Sequence, residues 1–219
     1  MKVLVLGMPR TGTQSIADAL IQLGISPIYH MREVAKNKHQ AFWISAIEAK
    51  YEPEKEGNPV LDREEFDSIL GDFEGIADYP AAIFPAELIR AYPEAAVILT
   101  VRADEDAWRA SMLATLVHHF RSAPDPNPSP MAPLAAKYHR HCWNDDFEAY
   151  GREAYRRQNA LVRGAAAGRR FLEYETGSGW GPLCEFLGVP VPDGAYPRAD
   201  DWLEYKKAAQ EKEKSGGGA

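Results

Sequence analysis

Residues 2–24 change hydrophobic period once, and that change forces a strand–loop–helix unit at the start of the chain. Val3 to Leu6 is an unbroken apolar run of strand length, the pattern of a strand buried on both faces. Gly7 to Gly12 follows with two glycines and a proline, a loop composition. From Thr13 the apolar residues Ile16, Leu20 and Leu23 recur at i, i+4 and i+7, one face of a helix, until Gly24 stops it. A strand with no polar face needs helices on both sides. The expected fold is therefore α/β, three layers with a central parallel sheet.

The rest of the chain keeps the same alternation. Ile25 to Tyr29 predicts a short strand ending at His30, and helices are expected over 38–50 and 62–73, the second opened by Asp62 with acidic residues in its first turn. Gly75 to Asp78 predicts a strand and 82–91 a helix. Ala95 to Val101 is the clearest buried strand, and the acidic residues Asp104, Glu105 and Asp106 open a helix carrying Trp108, Met112 and Leu116 on one face. The proline-rich stretch 123–133 predicts a loop over the site. A single long helix is expected over 134–166, with Trp143, Phe147, Tyr150 and Ala154 as its inward stripe. Phe171 to Tyr174 predicts the last strand and Trp180 to Leu187 the last core helix, ended by Gly188. Residues 200–214 read as a charged helical tail, giving a single domain over 1–214 and a disordered tail over 215–219. Gly7, His30, Asp78, Arg102 and Glu175 all fall at or just past predicted strand ends. In a parallel sheet those ends share the edge where ligands bind.

Composition removes several function classes. A formal charge of −7 lacks the basic stripe of a nucleic-acid binder, while leaving room for a local basic pocket. No apolar stretch approaches the roughly 20 residues that span a bilayer. Cys142 and Cys184 have no metal-type spacing and suit a reducing compartment, so a cytoplasmic protein with no membrane or nucleic-acid partner is expected. His118 and His119 are adjacent and His139 and His141 two apart. On helices neither pair shares a face, and no metal site is expected. Oligomeric state has no signature in the sequence.

The loop Gly7-Met-Pro-Arg-Thr-Gly-Thr-Gln-Ser15 lies between strand and helix, where successive N–H groups and the positive helix end converge on one point suited to phosphate or sulfate. It is a poor match to an ATP-hydrolysing loop. Thr13 stands at the Walker lysine position, Gln14 at the magnesium-binding hydroxyl position, and Arg102 where a magnesium aspartate is wanted. Arginine and hydroxyls without metal ligands suit chemistry that needs no metal.

Pro9-Arg-Thr-Gly-Thr-Gln-Ser15 resembles the 5′-phosphosulfate loop of sulfotransferases that use PAPS (3′-phosphoadenosine 5′-phosphosulfate). Val97 to Arg102, followed by Asp106, Trp108 and Ser111, resembles their 3′-phosphate segment. Phe171-Leu-Glu-Tyr-Glu175 with Trp180 to Pro190 resembles their late strand and helix. Tyr29 to Glu33, Asp78-Tyr-Pro80 and Tyr196-Pro-Arg198 resemble one branch, found in fungi, animals and bacteria. The resemblance implies PAPS as co-substrate and a small-molecule acceptor. It places Pro9, Arg10, Thr11, Gly12, Thr13, Gln14 and Ser15 on the 5′-phosphosulfate, Arg102 and Ser111 on the 3′-phosphate with help from Arg198, and Arg10 on the bridging oxygen. Two departures stand out. Arg10 replaces the lysine that many members carry, and Arg102 to Ser111 is one residue longer than usual. On a continuous helix that residue turns the serine by about 100°. Several N-caps in the acidic run are available to absorb it before the helix starts.

An acceptor hydroxyl needs a general base, and Asp78 is the first candidate and His30 the second. Glu175 reads as structural. Other readings of the same residues are a small-molecule kinase, a nucleotide-binding domain without catalysis, or another metal-free reaction on this fold.

Overall fold

The structure, a computed structural model, describes residues 1–122, 129–200, 202, 203 and 207. Strands β1 (Val3–Val5), β2 (Ile28–Tyr29), β3 (Gly75–Ala77), β4 (Ala96–Val101) and β5 (Phe171–Glu175) run parallel in the spatial order β2-β3-β1-β4-β5. Val3 stands opposite Gly75 on one side and Ala96 on the other. The chain leaves β1 toward β3 and β2, then returns across it to β4 and β5. The crevice between the ends of β1 and β4 is therefore the switch point of the sheet.

Helices α1 (Thr13–Gln22), α2 (Met31–Lys36), α3 (Gln40–Tyr51), α4 (Arg63–Leu70), α5 (Pro85–Ala91), α6 (Glu105–Met112), α7 (His118–Arg121), α8 (Ala132–Trp143), α9 (Phe147–Ala165) and α10 (Trp180–Leu187) cover the two faces. The period-2 pattern sorts the strand residues between them. Val3, Val5, Ala96 and Ile98 pack with Ile16 and Leu20 of α1 and Leu183 of α10. Leu4, Leu6, Ile76, Val97 and Leu99 pack on the other face with Trp43, Phe66, Leu88, Trp108, Trp143 and Phe147. The result is the expected three-layer α/β/α arrangement, and no helix among the described residues is long and apolar enough to cross a membrane.

Several elements differ from the sequence reading. The single helix expected over 134–166 is two, α8 and α9. Asn144 and Asp145 both take left-handed backbone (φ 53° and 58°), and Asp146 then accepts the Ala149 N–H at 3.0 Å as the cap of α9. Across that break the stripe loses register, so Trp143, Phe147 and Ala154 are buried but Tyr150 is 44% exposed. The strand expected from Ile25 keeps only Ile28–Tyr29, since Pro27 has no N–H for the ladder. The helix predicted over 82–91 is a 3₁₀ turn, Ala81–Ile83, followed by α5. The helix expected over 62–73 ends at Leu70, and its Asp62 cap accepts the Glu65 N–H. Trp108, Met112 and Leu116 are buried as one face, although the helix passes through a π turn at Leu113–Val117. Of the predicted proline loop, 123–128 lies outside the described residues, as do most of the 200–214 tail and all of 215–219.

Candidate active site

The glycine loop is held from behind through its carbonyls. The Thr11 hydroxyl donates to Met8 O at 2.6 Å and pairs with Thr100 Oγ1 at 2.7 Å. Trp108 Nε1 donates to Pro9 O (3.0 Å), Arg102 Nε to Arg10 O (2.8 Å) and the Thr176 hydroxyl to Thr11 O (2.6 Å). Four consecutive carbonyls are thus engaged by Arg102 just past β4, by α6, by the segment after β5 and by the loop itself. Arg10 (φ 69°) and Gly12 (φ 81°) take the left-handed conformation that turns the chain into α1, a strained state for a non-glycine residue. Helix α1 opens at Gly12 with no side-chain cap, whereas α4, α6 and α9 are each capped by an aspartate. Uncapped N–H groups at a helix start are donors for an anion.

Two guanidinium groups flank this opening. Arg10 Nε donates to Ser111 Oγ at 3.0 Å, and its Nη2 pairs with Asp200 Oδ1 at 3.0 Å. Burial, and next the Arg10 charge, hold Arg102 below the ordinary guanidinium range. Two partly buried cations that repel one another form a donor set suited to a multiply charged anion. Arg102 pairs with neither nearby acid. Asp104 caps α6 by accepting the Asp106 and Ala107 N–H groups, and Asp106 pairs with Arg152. Beginning α6 at Asp104 absorbs the extra residue between Arg102 and Ser111, so the serine faces the loop.

On the other side of β1, His30 follows β2 and Asp78 follows β3, with His30 Nε2 at 3.3 Å from Asp78 Oδ2. Both are buried, and His30 Nδ1 and Asp78 Oδ1 have no hydrogen-bond partner among the described residues. Asp78 also lies in the left-handed region (φ 74°). Burial raises its carboxyl pKa, an effect partly offset by His30, the Tyr79 N–H, Arg10 and Thr13, which places Asp78 within electrostatic reach of the loop.

The structure thus gathers Arg10, Thr11, Gly12, Thr13, Arg102, Ser111, His30 and Asp78 at the carboxyl edge of the sheet. Pro9 is buried through its contact with Trp108, and Gln14 is half-buried in the first turn of α1. Ser15 Oγ accepts the Ala199 N–H at 3.2 Å. Arg198 is exposed and has no hydrogen bond or ion pair with the described residues. Glu175 is also exposed, and its neighbour Thr176 makes the contact with the loop. The sequence reading passed over Thr100, Thr176, Tyr155 and Asp200. Tyr155 accepts the Arg102 N–H at 3.0 Å and stacks on Trp108 at 4.2 Å. His139 turns inward to Trp143 while His141 meets Glu52, and no group of three metal-ligating side chains is placed together among the described residues.

A family model described as a sulfotransferase domain matches residues 2–205. The chain belongs to the sulfotransferase family. A curated relative, "Ava biosynthesis cluster protein M" of Aspergillus versicolor, is 38% identical over 217 residues, covering 90% of this chain and 80% of the relative. Within this sulfotransferase-family chain, the matched span includes the glycine loop, both arginines and the His30–Asp78 pair.

Proposed function

We propose that this chain transfers a sulfuryl group from PAPS to a hydroxyl or amine of a small molecule. The observation that carries this reading is the convergence of Arg10 and Arg102 on the uncapped start of α1, beside a buried His–Asp pair. PAPS fits those residues, because it brings the several negative charges that two crowded guanidinium groups and a helix start without a side-chain cap favour. When bound, it supplies the sulfuryl group and the leaving phosphate. The N–H groups from Gly12 onward hold the 5′ end, on a loop that Thr11 braces from behind through Met8, Thr100 and Thr176. Arg102 and Ser111 hold the 3′-phosphate, with help from Arg198. Arg10 stabilises charge on the bridging oxygen as the sulfur–oxygen bond breaks. Its pKa makes it a charge stabiliser and not a proton donor.

In the same step the acceptor oxygen or nitrogen bonds to sulfur and its proton passes to the His30–Asp78 pair, with Asp78 as the base. A carboxylate whose pKa is raised by burial is a stronger base than a solvated one. The name of the curated relative places it in a biosynthesis cluster, which supports a small organic acceptor.

The test is calorimetric titration with PAP, the desulfated nucleotide, beside Mg-ATP, on the wild type and Arg102→Ala. The expected result is micromolar PAP binding, weakened about 10- to 100-fold by the substitution, as for loss of a charged hydrogen bond worth roughly 1.5–3 kcal/mol. Absence of PAP binding overturns the reading, and tight Mg-ATP binding in its place favours a kinase. Transfer of labelled sulfate to candidate acceptors then tests the reaction.

A further inference from the structure

The segment after α10 crosses the site from one face of the sheet to the other. Trp180 Nε1 donates to Gly194 O at 2.8 Å, and the Tyr196 ring packs against Trp180 and Tyr174 on the α1–α10 side. Ala199 then reaches Ser15, and the Trp202 ring meets His119 edge-on at 5.7 Å on the opposite side. Between these anchors lies Asp200. Its Oδ1 accepts from Arg10 Nη2 at 3.0 Å and from the Trp202 N–H at 3.1 Å, and its charge also reaches Arg102. The Arg10 side chain is only 14% exposed and that of Asp200 31%, so the carboxylate sits on the guanidinium with little water between them.

From this we infer that Asp200 is a resident anion of the site. Its carboxylate neutralises Arg10 while no oxyanion is present, and the anionic end of the nucleotide displaces it. The inference rests on the nucleotide reading above and adds a competitor within the chain. The chemistry follows from the charges. Arg10 and Arg102 repel each other, so the pair gains from one negative charge close by. An incoming phosphosulfate brings its own negative charge, and it cannot share Arg10 Nη2 with a carboxylate without facing like-charge repulsion. The carboxylate therefore lowers the affinity for any oxyanion at Arg10, product included, and after transfer it reclaims the guanidinium and helps PAP leave. Asp200 acts through Arg10 and is a positioning residue.

The test compares the wild type with Asp200→Asn, Arg10→Ala and the double variant, titrated with PAP and separately with inorganic sulfate. Asn keeps an oxygen for the Trp202 N–H and removes the negative charge. Asp200→Asn is expected to bind PAP about tenfold more tightly than wild type, equivalent to about 1.4 kcal/mol, and to lower KM for the nucleotide more than it changes kcat. In the Arg10→Ala background the gain disappears, because the two effects share one contact. Equal or weaker PAP binding by Asp200→Asn overturns the inference and leaves the nucleotide reading standing. If neither protein binds PAP, the nucleotide reading fails and the sulfate series decides alone. Tighter sulfate binding by Asp200→Asn that depends on Arg10 upholds Asp200 as the competing anion, and unchanged sulfate binding overturns it.

Discussion

His139 makes the fold acid-sensitive by an amount that can be worked out. Its ring is 2% exposed, stacks on Phe120 at 3.9 Å and accepts the Trp143 indole N–H on Nδ1 at 3.0 Å. Burial lowers its pKa from 6.5 to about 4, with Asp145 opposing the shift and Arg121 reinforcing it. The accepted N–H adds a geometric reason, since Nδ1 cannot take a proton without losing Trp143. The folded pKa lies below the unfolded one, so the unfolded chain binds the extra proton first. The stability tied to neutral His139 is complete above pH 6.5 and drains away as pH falls toward the folded value. At about 1.36 kcal/mol per unit, the loss is about 2 kcal/mol by pH 5 and about 3 kcal/mol in all. His139→Phe keeps the stack and cannot titrate, but leaves the Trp143 N–H without its acceptor, at about 1–3 kcal/mol. Urea denaturation of both proteins at pH 7.5, 6 and 5 reads the difference, and carboxylates common to both cancel. The variant is expected to be the less stable at pH 7.5, with the gap closing by about 2 kcal/mol at pH 5. A gap that stays constant across that range refutes the reasoning.

Two further outcomes follow from the geometry of the loop and the buried acid. A Cβ at Gly7 would stand 2.0 Å from Thr100 Oγ1 and 2.4 Å from the Thr100 carbonyl oxygen, so Gly7→Ala must move β1 from β4. It is expected to lose about 3 kcal/mol or more in urea denaturation, and a near-native midpoint counts against the packing described. Asp78→Asn is expected to abolish sulfuryl transfer yet raise the melting temperature at pH 7. Because burial raises the folded pKa, the cost of the ionised carboxylate grows as pH rises above the usual carboxylate value near 3.8 and persists at neutral pH. The gain should vanish in melts at pH 4, and equal melting temperatures at pH 7 would show that the charge is fully compensated.

The layers and most strands were legible because they depend on local period. Val3 to Leu6 and Ala96 to Val101 have no polar face, and Gly188 ends α10 in the left-handed conformation (φ 72°) read from its position. The break between α8 and α9 was hidden by a stripe that runs on through it. The Asn144-Asp145-Asp146 cluster carries turn and cap chemistry that outweighs that stripe. At the site, residues beside strand ends were found because topology alone brings them to one edge. Thr100 was not, because a threonine inside an apolar strand shows no role until β1 is placed beside β4. Asp200 was not, because nothing local says that its segment returns across a loop 190 positions earlier.

The strand order also sets when the site can exist. The central strand precedes the other four along the chain, yet its neighbours are Gly75–Ala77 and Ala96–Val101, and the loop after it is latched by Thr176 from beyond β5. A chain emerging N-terminus first therefore carries the glycine loop without its supports until the late residues have been added. The shape of the glycine loop is therefore a property of the finished fold, and a C-terminally shortened chain that still forms the early strands would lack the Thr176 latch.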